Sequence, residues 1–224
     1  MFKELIFKSA KWFGANTSLR LKQFASLIDA SIFFHKSIVP VVPTKYHLYD
    51  FVIKKYGLDE TEILFLEFGV FKGDSIKYWS KKNRNNESLF FGFDSFEGLP
   101  QKWGIRDVGS FSTDGKIPLI NDTRISFIKG WYSNTLSDFI ESNSKLLRQN
   151  KIINMDSDLY TSTLYVLYNL SKFIIPGDFI FFDDFFTIRN NAEEFRAFND
   201  FANSSNLKYD IIAKTNGQIV IEII

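Results

Sequence analysis

Ile152-Ile153-Asn154-Met155-Asp156-Ser157-Asp158-Leu159-Tyr160 is a short, mainly apolar run that stops on acids. A second stretch repeats the pattern: Phe179-Ile180-Phe181-Phe182 ends on Asp183-Asp184. Apolar runs that are continuous, not alternating, mark strands buried on both faces of a sheet. The surrounding sequence alternates accordingly. It predicts strands over 63–68, 89–93, 124–129, 151–155 and 179–182, and helices over 75–82, 136–147, 163–173 and 192–202. Two closing strands, over 209–213 and 218–223, flank Asn216-Gly217, a strong hairpin signal. Strand–helix alternation implies an α/β fold: a doubly wound, mostly parallel seven-stranded sheet with one strand reversed by the hairpin. In such sheets ligands bind outside the carboxyl ends of the strands, where both acidic clusters fall.

Outward from this pattern, the chain reads as a helical extension over 1–44 and one α/β domain over 45–224. Pro40 and Pro43 break the extension, whose apolar positions are Leu19, Leu21, Phe24, Leu27, Ile28, Ile32 and Phe33. A helix over 45–56 follows, with Gly57 as its C-cap. At 224 residues and 45% hydrophobic content the chain can bury a substantial core. A net charge of +1 gives no electrostatic case for nucleic acid. The absence of cysteine excludes disulfides and thiolate metal sites. No stretch approaches the roughly 18 consecutive apolar residues of a membrane span. Met1 to Trp12 lacks the continuous apolar core of a signal peptide, and Lys3, Glu4, Lys8 and Lys11 interrupt it. An amphipathic helix fits that segment, packed on its own domain or against a second copy in a homodimer. The expected location is cytoplasmic.

Glu67-Phe68-Gly69-Val70-Phe71-Lys72-Gly73-Asp74-Ser75 joins the first strand to a helix. Gly69 and Gly73 permit a tight turn and close ligand approach, and the exposed N–H groups at a helix start favour anionic groups. The spacing is not GxGxxG. Asp94 ends the next strand, 27 residues after Glu67. An acid there commonly accepts hydrogen bonds from ribose hydroxyls, which suits the adenosine of NAD or of S-adenosylmethionine. The carboxylates separate these two. Asp156, Asp158, Asp183 and Asp184 repel one another unless protonated or bridged by a cation, and a hard ion such as Mg2+ suits all-oxygen donors. Hydride transfer needs no such cluster. Methyl transfer to a hydroxyl gains from it, because an alcohol is a poor nucleophile until its proton is removed. The stretch from 95 to 123 is too long for a plain connection and is expected to form an active-site wall. His35 and His47 read as surface or packing residues. Lys81-Lys82-Asn83-Arg84 reads as a solvated helix end.

Several of these segments together resemble the macrocin O-methyltransferase family. They are Glu67 to Gly73, Gly92-Phe93-Asp94-Ser95-Phe96-Glu97-Gly98-Leu99-Pro100, Gly130-Trp131-Tyr132, Asp156 to Tyr160 and Asp183-Asp184. The resemblance covers about residue 46 to the C-terminus. It implies a Rossmann-like class I fold and an S-adenosylmethionine-dependent, Mg2+-assisted transfer of methyl to a small-molecule or glycan hydroxyl, that of a sugar in a glycan or glycosylated metabolite. It also implies roles: Asp156, Asp183 and Asp184 as metal ligands, and Asp158 as general base. Glu67, Gly69, Gly73, Ser75, Asp94 and Ser95 would surround the cofactor, with Gly130 and Trp131 near the adenine. This chain departs from the family in having Ser157 where glycine is usual, and Leu136-Ser137 in place of Leu-Pro. A catechol-type O-methyltransferase and a silent adenosine-binding module remain alternative readings.

Overall fold

A computed structural model describes residues 25, 27–186 and 192–224. The expectations for Met1 to Trp12, Leu19, Leu21 and Phe24 lie outside the described residues. The strands are β1 (Leu64–Phe68), β2 (Leu89–Asp94), β3 (Ile125–Lys129), β4 (Lys151–Met155), β5 (Phe179–Phe182), β6 (Tyr209–Lys214) and β7 (Ile219–Ile223). They form one seven-stranded sheet in the order β3-β2-β1-β4-β5-β7-β6, in which β7 runs antiparallel to both its neighbours. The doubly wound α/β architecture and its reversed hairpin strand are therefore as the sequence predicts.

The helices are α1 (residues 27–36), α2 (Lys45–Tyr56), α3 (Asp74–Lys82), α4 (Tyr132–Ser142), α5 (Tyr160–Leu170) and α6 (Glu193–Ser205). Strand alternation divides the core between the two faces of the sheet. Leu64, Leu66 and Phe68 of β1 join α4, α5 and α6 on one face, together with Ala30 and Phe34 of α1. Phe65 faces Tyr49, Val52, Ile76 and Trp79 on the other. Burying each large apolar side chain of this kind contributes about 1.5–3 kcal/mol. Far from the ligand edge, Lys151 and Asp178 form a fully buried pair at 2.6 Å that fixes the start of β4.

α4 and α5 begin a turn or more before the sequence expectations of 136 and 163. Their first turns carry polar residues that face a cavity, so the apolar periodicity starts late. Gly57 has φ = 67° and caps α2 as expected, and Thr44 caps its other end by accepting from His47 N–H. Residues before α2 are held to the sheet. Val42 N–H donates to Lys214 O (2.8 Å) and Lys214 N–H to Pro40 O (3.0 Å). Lys214 Nζ also reaches the carbonyls of Phe34 and Ser37 at the end of α1. The first residue of α2, Lys45, is thereby placed at the carboxyl edge of the parallel strands.

Strand order reverses between β1 and β4, since the chain proceeds from β1 to β2 on one side and returns to β4 on the other. Gly69 sits at that switch point with φ = 98°. A Cβ there would lie 1.8 Å from the carbonyl oxygen of Asp156. Only glycine lets the two strand ends approach so closely. Gly69→Ala is expected to destabilise the fold by about 3 kcal/mol or more, from left-handed strain plus overpacking. Denaturant unfolding measures this, and a loss below about 1 kcal/mol would show that the strand ends separate freely.

Candidate active site

The sheet order lays the predicted site residues in a row. Gly130 and Trp131 follow β3, Asp94 ends β2, Gly69 follows β1, Asp156 and Asp158 follow β4, and Asp183 and Asp184 follow β5. At about 4.8 Å per strand the row spans roughly 19 Å. All eight residues line one cavity of about 490 Å³, as does Ser95. Leu99, Pro100 and Phe111 wall it from the loop after β2, while Thr161, Ser162 and Tyr165 wall it from α5. The loop is held by a small core in which its Leu99 and Trp103 pack on Leu159, the residue before α5.

Glu67, Gly73 and Ser75 do not reach this cavity. Glu67 is 1% exposed and faces the α2–α3 side of the sheet. Its Oε1 accepts from Asn154 Nδ2 (3.0 Å), and its Oε2 has no partner. Burial raises its pKa to about 8, although Lys45 and Asn154 pull it down. Tyr49 Oη shares its proton between Ser75 Oγ (3.3 Å) and Asn154 Oδ1 (3.2 Å), so Ser75 is spent on a buried network beneath the site. Gly73 caps α3 with φ = 77° and packs against Pro118 and Ile120.

Asp94 is a clamp as well as a lining residue. Its Oδ2 accepts from Val70 N–H and Phe71 N–H (2.8 Å each), and its Oδ1 from Phe96 N–H (2.7 Å). One carboxylate thereby fixes both the glycine turn and the start of the wall loop. Three of its roughly four acceptor positions are taken, which leaves room for one further donor. Ser95 Oγ similarly accepts from Glu97 N–H (3.1 Å).

The acid cluster is built by α6 as much as by the strands. Glu194 is fully buried and accepts from Ser157 N–H (3.2 Å) and Asp184 N–H (3.0 Å), tying the end of β4 to the end of β5. Glu193 Oε2 accepts from Tyr160 N–H (2.9 Å) and caps α5. Asp158 does not cap that helix. Its backbone is left-handed, with φ = 61°, a strained conformation for a residue that has a side chain. That turn, not strand alternation, brings Asp158 into the cavity beside Asp156.

Burial, then the charges of Asp184 and Asp183, raises the pKa of Asp158 to about 8. Burial, then Asp183, raises Asp184 to about 6, and a hydrogen bond from Asp158 partly offsets this. Of the two carboxyls, Asp158 is the one whose protonated form is favoured more strongly. Burial and Asp183 also push Asp156 well above the usual carboxylate range, and burial and Asp184 do the same to Glu194. Asp183 Oδ1 accepts from Gln218 Nε2 (2.6 Å). Lys45 Nζ lies 3.5 Å from Asp183 Oδ1 and 3.9 Å from Asp156 Oδ2. Burial opposes the Lys45 charge, but Asp183, Asp156 and Glu67 outweigh it and raise its pKa.

The donor set suits a hard cation in kind, because all its atoms are oxygens and its negative charge exceeds what Lys45 offsets. Its arrangement is not that of a closed metal site. Among the described residues no three His, Cys, Asp or Glu side chains converge as ligands. Sequence reasoning missed Lys45, Glu194, Gln218 and the Tyr49–Asn154 pair. Asn154, an amide inside an apolar strand, was a visible signal for the last.

A family profile described as Macrocin-O-methyltransferase (TylF) matches residues 52–217. The chain belongs to the macrocin O-methyltransferase family. Its activity is S-adenosylmethionine-dependent O-methylation. Among solved structures, CalS11, a calicheamicin methyltransferase, aligns with a TM-score of 0.60 and 15% identity over 89% of this chain and 91% of that one. An apo structure of CalS11, described as a TDP-rhamnose 3'-O-methyltransferase, gives 0.56 and 15% over 89% and 93%. The O-methyltransferase NovP gives 0.56 and 18% over 79% of each chain. At these identities the structural likeness speaks for the fold. A search of curated protein sequences finds no significant match.

The Asp94 clamp yields a test. Asp94→Ala orphans three backbone donors at roughly 1–3 kcal/mol. It is expected to lower the melting temperature and to weaken binding of the product S-adenosylhomocysteine about tenfold or more in calorimetry. Weakened product binding with unchanged stability would assign Asp94 to ribose alone.

Proposed function

We propose that this methyltransferase acts on a sugar hydroxyl, with Asp158 as general base and a divalent cation of the Mg2+ type held by Asp156, Asp183 and Asp184. The observation that carries the reading is Asp158 itself, strained into the cavity beside Asp156, Asp183 and Asp184 at the junction of the glycine turn and the acid cluster. The sugar class of acceptor is supported by family membership and by the TDP-rhamnose methyltransferase among the structures of like fold. Among the described residues no helix is long and apolar enough to cross a membrane, and we place the enzyme in the cytoplasm.

S-adenosylmethionine supplies the methyl group, and a bound divalent cation lowers the pKa of a neighbouring hydroxyl. The chain's own residues do the rest. Gly69 keeps the turn free of a side chain, so the cofactor can approach the backbone. Gly130, Trp131 and Asp94 fit the adenosine end of the row. Asp158 takes the hydroxyl proton in its ionised form, having first lost its own proton to solvent. A cation held by Asp156, Asp183 and Asp184 would favour that ionised form. Leu99, Pro100, Phe111 and Tyr165 exclude water and shape the acceptor side.

Methylation of a sugar-nucleotide panel should cease in excess chelator and return with Mg2+ or Mn2+, whereas catechols should be poor acceptors. Full activity in chelator would remove the cation from the mechanism. Asp158→Asn should lower kcat by about 100- to 10,000-fold with product affinity nearly unchanged, and near wild-type turnover would exclude Asp158 as the base.

The pH dependence has a definite sign. The folded-state pKa of Asp158 is raised from 3.8 to about 8, so the native state binds more protons than the unfolded one between those values. Stability of the metal-free protein is therefore expected to fall as pH rises from about 4 to 8. Activity limited by the same group should rise through that window, and divalent cation should move the inflection to lower pH. The apparent value belongs to the Asp158–Asp184 pair. A flat pH–rate profile over pH 5–9 would contradict this assignment.

A further inference from the structure

The aspartates after β4 and β5 are not left to repel one another. A lysine ammonium stands between Asp156 and Asp183, and its position is built. Thr44 caps α2, and residues 40–42 are bonded to the end of β6, so the helix begins beside the ends of β4 and β5. From there Lys45 reaches both strands' acids, at 3.5 Å and 3.9 Å. Both distances are ion-pair contacts but too long for good hydrogen bonds. The side chain keeps 26% of its surface exposed, and its flexible four-carbon stem allows it to withdraw. Asp183, by contrast, is anchored by Gln218 at 2.6 Å. Asp183 is held and the ammonium is loosely seated. Arg106 adds positive charge at Asp184 from the wall loop, but Lys45 is the cation paired with Asp156 and Asp183 among the described residues.

We propose that Lys45 is a resident counter-ion of Asp156 and Asp183 that a divalent cation must displace, so that this lysine sets the metal affinity of the enzyme. The inference rests on the reading above that these acids take a cation. Both cations claim the same oxygens, and a divalent ion at Asp156 and Asp183 would stand within a few ångströms of the ammonium and repel it. Before metal arrives, Lys45 keeps the acids paired and the cleft formed. Once displaced, its ammonium remains at the cavity wall it already lines.

Mn2+ binding to the full-length protein tests this. Free Mn2+ is measured by electron paramagnetic resonance for the wild type, Lys45→Met, Lys45→Gln and Lys45→Arg, with melting temperature and S-adenosylhomocysteine binding as folding controls. The two neutral variants should bind Mn2+ at least about tenfold more tightly than wild type. Lys45→Arg, which keeps the charge, should stay near wild type. A merely structural lysine would loosen metal binding in all three variants. Unchanged or weaker Mn2+ affinity in whichever neutral variant folds overturns the proposal, while chelator-sensitive methylation in the wild type would leave the functional reading standing. No Mn2+ binding by any form overturns both.

Discussion

Negative charge crowded at one edge of the sheet is the constraint on which this structure depends. Glu67, Asp156, Asp158, Asp183, Asp184 and Glu194 gather around the ends of β1, β4 and β5 and the start of α6. Burying an unpaired carboxylate is costly enough that it must be neutralised or bonded. The molecule uses a different device at each place. Burial and the charge of Asp184 favour the protonated form of Asp158, Glu194 receives two backbone N–H groups, Asp183 receives Gln218, and Lys45 sits between Asp156 and Asp183. Each device also fixes a position, so the same interactions that relieve the repulsion hold the acids in place.

The first turn of α6 shows how far this arrangement reaches. Glu194 joins the two strand ends, while Glu193 caps α5. Asp158 lies between those two anchored points, at Ser157 N–H and Tyr160 N–H. Its left-handed backbone persists because both neighbours are held, as strained residues require. On the other side of the cleft, Asp94 gathers Val70, Phe71 and Phe96 N–H. Asp158 and the glycine turn are thus both positioned by carboxylates bonded to backbone.

Much of this was legible in the chain. The strands announced themselves by continuous apolar runs, and the acids by their place directly after those runs. What escaped was whatever depends on distant backbone or on charges that look ordinary in their own element. Glu193 and Glu194 read as first-turn acids that complement a helix dipole. Lys45 reads as any surface lysine after a cap. Asp94 was recognisable as a strand-end acid, but its partners are backbone N–H groups that no side-chain pattern encodes. Ser75 and Gly73 belong to the glycine motif by sequence, yet the helix turns them toward Tyr49 and Pro118. The starts of α4 and α5 were displaced because cavity-facing turns carry no apolar signal.

The acceptor side follows a different logic from the acid cluster. Leu159, immediately after Asp158, packs with Leu99 and Trp103 of the wall loop. The wall loop therefore rests on the residue next to Asp158. Loop and acid cluster are thus built on adjacent residues, Leu159 and Asp158, and Leu99 lines the same cavity as the acids. The fold alone specifies no acceptor, so whatever selects it acts through side chains of this kind, placed by the loop against the acid edge of the sheet.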